Sequence, residues 1–168
     1  MPDTTLRHVD PRRRRGPLYR LYTAVVGTRL MGWVSRRFLW RLDPHLLSLS
    51  RGRFATGVAL PIALLETRGA RSGQPRRNAV IYFHDGEDVV IVASKLGMPT
   101  DPAWVHNLRA HPEVRLGGQA FLAEVVADEP ERERLWKLAD MVFPAYAVYR
   151  DRAASAGRTI PLVRLTPR

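Results

Sequence analysis

Apolar and polar positions along this chain change period once, near Gly57. Before that point Leu18, Leu21, Tyr22, Val25 and Val26 keep helical spacing from Pro17 onward, and Gly27, Leu30, Met31, Trp33, Val34, Phe38 and Trp40 follow with arginines between them. The spacing predicts an amphipathic helix. After it the pattern is strand-like. Ala59 to Glu66 is a short apolar run, Arg76 to His84 is a second, and Asp88 to Ser94 returns behind an Asp85-Gly86 hairpin signal. Asp101-Pro102 reads as an N-cap with proline at the first helical position, opening a helix through Trp104, Leu108 and Ala110 that stops near Pro112. Val114 to Leu116 and Gln119 to Ala127 flank Gly117-Gly118 as another hairpin. Pro130 opens a longer helix with Leu135, Leu138, Ala139 and Val142 at i, i+3, i+4 and i+7, which Pro144 breaks or kinks, and Ile160 to Leu165 supplies a last strand. Mostly antiparallel strands with inserted and flanking helices predict an α+β, mainly β fold built on a small closed or half-closed barrel.

Composition adds an asymmetry to that picture. Of 168 residues, 45% are hydrophobic and 26% charged, enough for one domain with a core. The net charge of +11 sits mainly at one end: residues 1–53 hold twelve arginines against Asp3, Asp10 and Asp43, whereas residues 54–168 are close to neutral. The expected organisation is therefore a basic arm over 1–53, disordered through residue 16 until it meets an anion and then helical, followed by a barrel domain over 54–168. Arginines interleaved with Trp33, Phe38 and Trp40 suit an anionic membrane surface, contacted through residues 1–41; they equally suit a helix that packs on its own barrel or on a second subunit.

Several classes are excluded. Without cysteine there is no disulfide, thiol nucleophile or Cys-ligated zinc, and the five histidines show no metal-ligand spacing, so no metal site is expected. Arg20, Arg29, Arg36 and Arg37 interrupt any membrane-spanning run. An arginine pair lies within Ser35 to Leu39, but Asp43, Pro44 and His45 stand where an export signal needs apolar residues. No Ser/His/Asp arrangement with a nucleophile elbow is visible, so the reactive atom of any enzyme here belongs to a cofactor.

Three constellations remain. Thr67 to Arg76 puts a glycine-rich turn with Arg71, Ser72, Gly73 and Arg76 between two apolar runs, which is either an ordinary surface turn or an anion pocket; it is neither a P-loop nor a Rossmann fingerprint. Ser94-Lys95-Leu96-Gly97 ends a strand with a hydroxyl, an ammonium and a permissive glycine. Phe143, Tyr146 and Tyr149 recur every three residues, as core packing or as a wall on which a flat ligand stacks beneath phenol donors.

In that order, Leu65 to Arg76, Asp85-Gly86, Val92 to Gly97, Pro102 to Leu108 and Arg158-Thr159-Ile160-Pro161 resemble the deazaflavin-dependent nitroreductase family, over roughly residues 50 to 168. The resemblance implies a split β-barrel of the FMN-binding, flavin-reductase type that binds coenzyme F-420 and passes hydride to quinones, nitroaromatics or activated alkenes. It implies that Arg71, Ser72, Gly73 and Arg76, with Lys95 and Asn107, hold the coenzyme's phosphate and acidic tail, that Ser94 lies beside the ring, and that Tyr146 and Tyr149 face the substrate as donors. Phe143 stands where a nitroimidazole-reducing member has a third tyrosine, and Ala70 where that member has an arginine. The rival readings are an FMN-binding split-barrel reductase or storage protein and a non-catalytic anion- or membrane-binding module. A small-molecule electron acceptor, no nucleic acid, a monomer or homodimer, and a cytoplasmic protein peripheral to the inner membrane face complete the expectation.

Overall fold

In the computed structural model the chain is described at residues 6–13, 16, 19, 23 and 60–168. The helix expected from Pro17 and the boundary at residue 54 lie largely outside these residues.

Six strands close into a barrel in the order β1-β2-β3-β6-β5-β4, every neighbouring pair antiparallel. They are β1 (Ile62–Arg68), β2 (Pro75–Asp85), β3 (Asp88–Val92), β4 (Glu113–Leu116), β5 (Gln119–Val125) and β6 (Leu162–Pro167). Closure rests on a short seam, Leu65 opposite Leu116 and Glu66 opposite Arg115, and it leaves no long strand edge unpaired. Leu65, Phe83, Val90, Leu116 and Leu165 form the centre of the core, each fully buried. The Gly117-Gly118 turn has both glycines at positive φ, the geometry that makes this dipeptide a hairpin signal.

Among residues 60–168 three α-helices decorate the barrel: α1 (Ala103–Ala110), α2 (Glu129–Val142) and α3 (Tyr146–Ala154). Asp128 caps α2 by accepting the Glu131 N–H at 3.0 Å, and the predicted stripe of Leu135, Leu138, Ala139 and Val142 is its buried face. The helix ends at Val142 because Pro144 cannot continue it.

Four expectations are corrected. Strand β1 runs to Arg68, two residues beyond its apolar run, and pairs Arg68 with Pro75, so the turn is only Gly69 to Gln74, while Arg76 lies on the second strand as its run implied. Asp101 does not cap α1; no side chain caps that helix, and the Asp101 carboxylate instead accepts from Arg158. The last strand begins at Leu162, two residues later than its apolar run, because Pro161 is occupied at the loop, where its carbonyl accepts the Ala93 N–H. Residues 6–13 lie against the barrel: Val9 and His84 exchange hydrogen bonds through the Val9 carbonyl and His84 Nδ1, the Tyr82 hydroxyl donates to the Arg7 carbonyl at 2.9 Å, and Val9 is buried.

Candidate functional site

The site is assembled from three loops tied together by buried polar groups. The Gly69–Gln74 turn is closed by Gly69 N–H to the Gln74 carbonyl at 2.9 Å and Gly73 N–H to the Gly69 carbonyl at 2.8 Å. Gly73 has a φ of +65°, and a Cβ there would lie 3.6 Å from the guanidinium of Arg68. Arg68, Arg71, Ser72 and Arg76 are all exposed on this hairpin, and no carboxylate occurs between Thr67 and Arg76. Among the described residues Arg71 has no hydrogen bond or ion pair, and Arg76 reaches only the Ser72 hydroxyl, at 3.4 Å. Arg68 is an addition to the predicted set; the sequence places it in the motif, but only the turn geometry brings it beside Gly73.

Asn107, on the buried face of α1, holds the turn from within. Its Oδ1 accepts the Ala70 N–H at 3.0 Å and its Nδ2 donates to the Thr67 hydroxyl at 3.0 Å. Both ends of the amide are thus engaged inside the protein, and Asn107 sets the position of the hairpin against the helix.

At the other end of α1 lies the Ser94–Gly97 loop, a single 3₁₀ turn with Lys95 and Leu96 both at positive φ (45° and 58°). For non-glycine residues this conformation costs about 1–2 kcal/mol each, so something must hold it. The holder is Arg158, which is 9% exposed. Its Nη2 donates to the Ala93 carbonyl, Nη1 to the carbonyls of Ser94 (3.2 Å) and Met98 (2.8 Å), and Nε to Asp101 Oδ1 at 2.8 Å. The Lys95 ammonium donates to the Thr100 hydroxyl at 2.8 Å and to the Asp101 carbonyl at 3.2 Å. The Arg158-Thr159-Ile160-Pro161 motif marked this arginine without assigning it a task, because a buried guanidinium leaves no periodic signal.

The same loop abuts the aromatic cluster. A Cβ on Gly97 would stand 2.6 Å from the Tyr149 carbonyl, and Arg152 donates to the Leu96 carbonyl at 3.2 Å. Phe143, Tyr146 and Tyr149 meet edge-on or tilted, with centroids 5.1, 5.9 and 6.4 Å apart. All three rings are buried, at 2%, 1% and 3% exposure. Burial pushes the Tyr146 phenol well above its ordinary value of 10.0, helped by the neighbouring Tyr149 and Tyr19 phenols and by Asp140, so it remains a neutral donor. The structure therefore joins hairpin, α1, loop and aromatic cluster in one chain of contacts: Ala70 to Asn107, Asp101 to Lys95 and Arg158, Gly97 to Tyr149.

Among the described residues no group of three or more His, Cys, Asp and Glu side chains could hold a metal ion, and no helix is long and apolar enough to cross a membrane. A donor set of exposed guanidinium, hydroxyl and backbone groups without carboxylates fits a polyanionic ligand tail.

Comparison with known proteins places the chain in a family. The family model described as F420H(2)-dependent quinone reductase matches residues 41–167. An F420H(2)-dependent quinone reductase of Mycobacterium tuberculosis is 35% identical over 147 residues, covering 81% of this chain and 97% of the relative. Among solved structures, an F420-H2 dependent reductase superposes with a TM-score of 0.53 at 34% identity, covering 62% of this chain and 93% of the other. A chain described as a domain-swapped dimer superposes with a TM-score of 0.56 at 29% identity, covering 81% and 98%. The barrel is a split barrel, the fold shared with both of these structures. With the family model matched from residue 41 to residue 167, this chain belongs to the F420H(2)-dependent quinone reductase family, oxidoreductases whose cofactor is coenzyme F-420.

Proposed function

We propose that this chain reduces quinones at the junction of the Ser94–Gly97 loop and the Phe143/Tyr146/Tyr149 cluster, with the coenzyme's anionic tail on the Gly69–Gln74 hairpin. The observation that carries this reading is the pairing of an all-cationic, carboxylate-free hairpin with a dry pair of phenols, linked through one loop. When bound, the coenzyme supplies the hydride. Arg71 and Arg76 offer forked donors to phosphate and carboxylate oxygens, Ser72 adds a hydroxyl, and Gly73 keeps the turn free of a side chain. Lys95 contributes charge at the loop's far side, and Asn107 holds the hairpin in register. Ser94, half-buried beside the loop's turn, would lie beside the coenzyme's ring.

Tyr146 keeps its proton across the whole working pH range, because burial opposes its ionisation. It and Tyr149 donate to the acceptor oxygen on which negative charge gathers. Phe143 closes the wall without a donor, which removes the third phenol found in a nitroimidazole-reducing relative and favours a quinone as the acceptor. Titration of the coenzyme against tryptophan emission tests the hairpin: Arg71→Ala and Arg76→Ala weaken binding, and unchanged affinity in both removes that assignment. The double Tyr146→Phe, Tyr149→Phe variant loses about 100- to 1,000-fold in turnover, the usual loss for a positioned donor; full turnover removes the donor role.

The arm supports a second placement, on an anionic membrane surface at the inner face of the cell. Its support is the excess of nine positive charges over residues 1–53 together with Trp33, Phe38 and Trp40. Flotation with anionic vesicles, full chain against a chain lacking residues 1–41, decides it: equal flotation removes the arm from membrane attachment.

A further inference from the structure

Two pairs of side chains, each one helical turn apart, meet across the corner where α2 gives way to α3. Trp136 and Asp140 lie four residues apart on α2, Tyr146 and Arg150 four apart on α3, and Phe143, Pro144 and Ala145 separate the helices. The Arg150 guanidinium forks onto Asp140, Nη1 donating to Oδ1 at 2.8 Å and Nη2 to Oδ2 at 2.7 Å. Its Cζ also stands over the Trp136 ring, 4.3 Å from the centroid. Trp136 in turn meets Tyr146 edge-on, with centroids 6.0 Å apart and planes at 76°. The Arg150 and Asp140 side chains are 31% and 35% exposed, whereas both rings are buried. Among the described residues the Tyr146 hydroxyl has no hydrogen-bond partner. A buried hydroxyl in that state is costly unless a ligand supplies the partner.

We infer that Arg150 is a positioning residue for Tyr146, fixing that ring through Trp136 so that its hydroxyl stays available to the acceptor. The inference rests on the reading of Tyr146 as a donor to the acceptor oxygen. Without the guanidinium, Asp140 loses its partner and the Trp136 face its cation, and the ring that Trp136 supports is free to shift. Steady-state turnover of 2-methyl-1,4-naphthoquinone by the full chain, at saturating reduced coenzyme and quinone, tests it as a double-mutant cycle. Arg150→Ala lowers kcat about 10- to 100-fold in the parent, the scale on which a misplaced reacting group loses rate, and lowers it no further in Tyr146→Phe. Arg150→Lys keeps a cation over Trp136 but cannot fork onto Asp140. Its loss is smaller and likewise vanishes in Tyr146→Phe, and it carries the test if the alanine variant does not fold. A clip that only holds α2 to α3 costs the same factor whether residue 146 is tyrosine or phenylalanine. Equal factors in the two backgrounds, or parent turnover in both Arg150 variants, overturn the inference and leave the donor in place. Parent turnover in Tyr146→Phe removes that donor, and the inference with it.

Discussion

Arg158 Nε and Asp101 Oδ1 stand 2.8 Å apart, an ion pair that joins the loop before the last barrel strand to the residue two positions before α1. The arginine side chain is 7% exposed and the carboxylate 18%. Three backbone carbonyls of the Ser94 loop take the remaining guanidinium donors. A lysine has neither the fork nor the reach to serve four acceptors. Arg158→Ala therefore costs about 3–5 kcal/mol, the usual loss when one partner of a buried pair is removed, and Arg158→Lys recovers only part of it. Urea unfolding measures the loss, and coenzyme titration of the folded Lys variant shows weakened binding through the loop. A Lys variant as stable and as tight-binding as the parent would sink the hub role.

Gly97 couples that loop to the aromatic cluster. It has a φ of +73°, and an added Cβ would meet backbone, the Tyr149 carbonyl at 2.6 Å and Cα at 3.1 Å. Neither can move without shifting α3, so Gly97→Ala costs more than about 2 kcal/mol, from left-handed strain together with the clash. Gly118, at φ +88° with open space around it, isolates the strain: Gly118→Ala costs about 1 kcal/mol. Thermal or urea unfolding of the two variants gives the comparison, and equal losses would contradict it.

The barrel was legible in the sequence where period and turn chemistry agreed. The stripe Leu135, Leu138, Ala139 and Val142 is helical in spacing and buried on α2, and Gly117-Gly118 announced its own hairpin. What stayed hidden was long-range. Asp101 looks like a helix cap because Asp before Pro is one by local rules, yet a buried guanidinium 57 residues away competes for its carboxylate. Residues 6–13 are mostly polar and basic, and besides Leu6 and Val9 they attach through backbone carbonyls and one imidazole nitrogen, groups that leave no trace in a hydrophobic pattern. The spacing of Phe143, Tyr146 and Tyr149 left core packing and a ligand wall both open, and all three rings are buried.

Acid sensitivity follows from a network at the β2–β3 turn. Arg134 bonds both Asp85 and Glu131, and Arg164 bonds Asp88 and Glu131. The Arg134 hydrogen bond is the main cause that holds Asp85 below its ordinary 3.8 and Glu131 below its ordinary 4.5. Both folded-state values are depressed, so the stabilisation is fully present above those ordinary values and is lost as pH falls through the lowered ones. For a half-exposed network it is about 1 kcal/mol. Urea unfolding from pH 7 down to pH 3 shows the fall, and Arg134→Gln flattens that part of the curve. Parallel curves for parent and variant would exclude the network as its source.

The attachment of residues 6–13 responds to pH in a higher window, because it uses His84 as an acceptor. Val9 N–H donates to His84 Nδ1 at 3.1 Å, which requires that nitrogen to be unprotonated, and the His8 ring lies 4.4 Å from the His84 ring. Burial first, and the charge of His8 second, lower His84 from its ordinary 6.5. The folded state favours the neutral imidazole, so this contact is complete above pH 6.5 and weakens as pH falls through the lowered value. Protonation removes the acceptor and sets a positive charge beside the His8 ring. One net hydrogen bond is worth about 0.5–1.5 kcal/mol, so amide exchange of Val9, corrected for intrinsic rate, accelerates up to about tenfold between pH 7 and pH 5. In His84→Phe, which has no acceptor, the same amide exchanges fast at both pH values. Protection of Val9 that is independent of pH in the parent chain would show that the segment is held by its backbone bond to His84 and the Tyr82 hydroxyl alone.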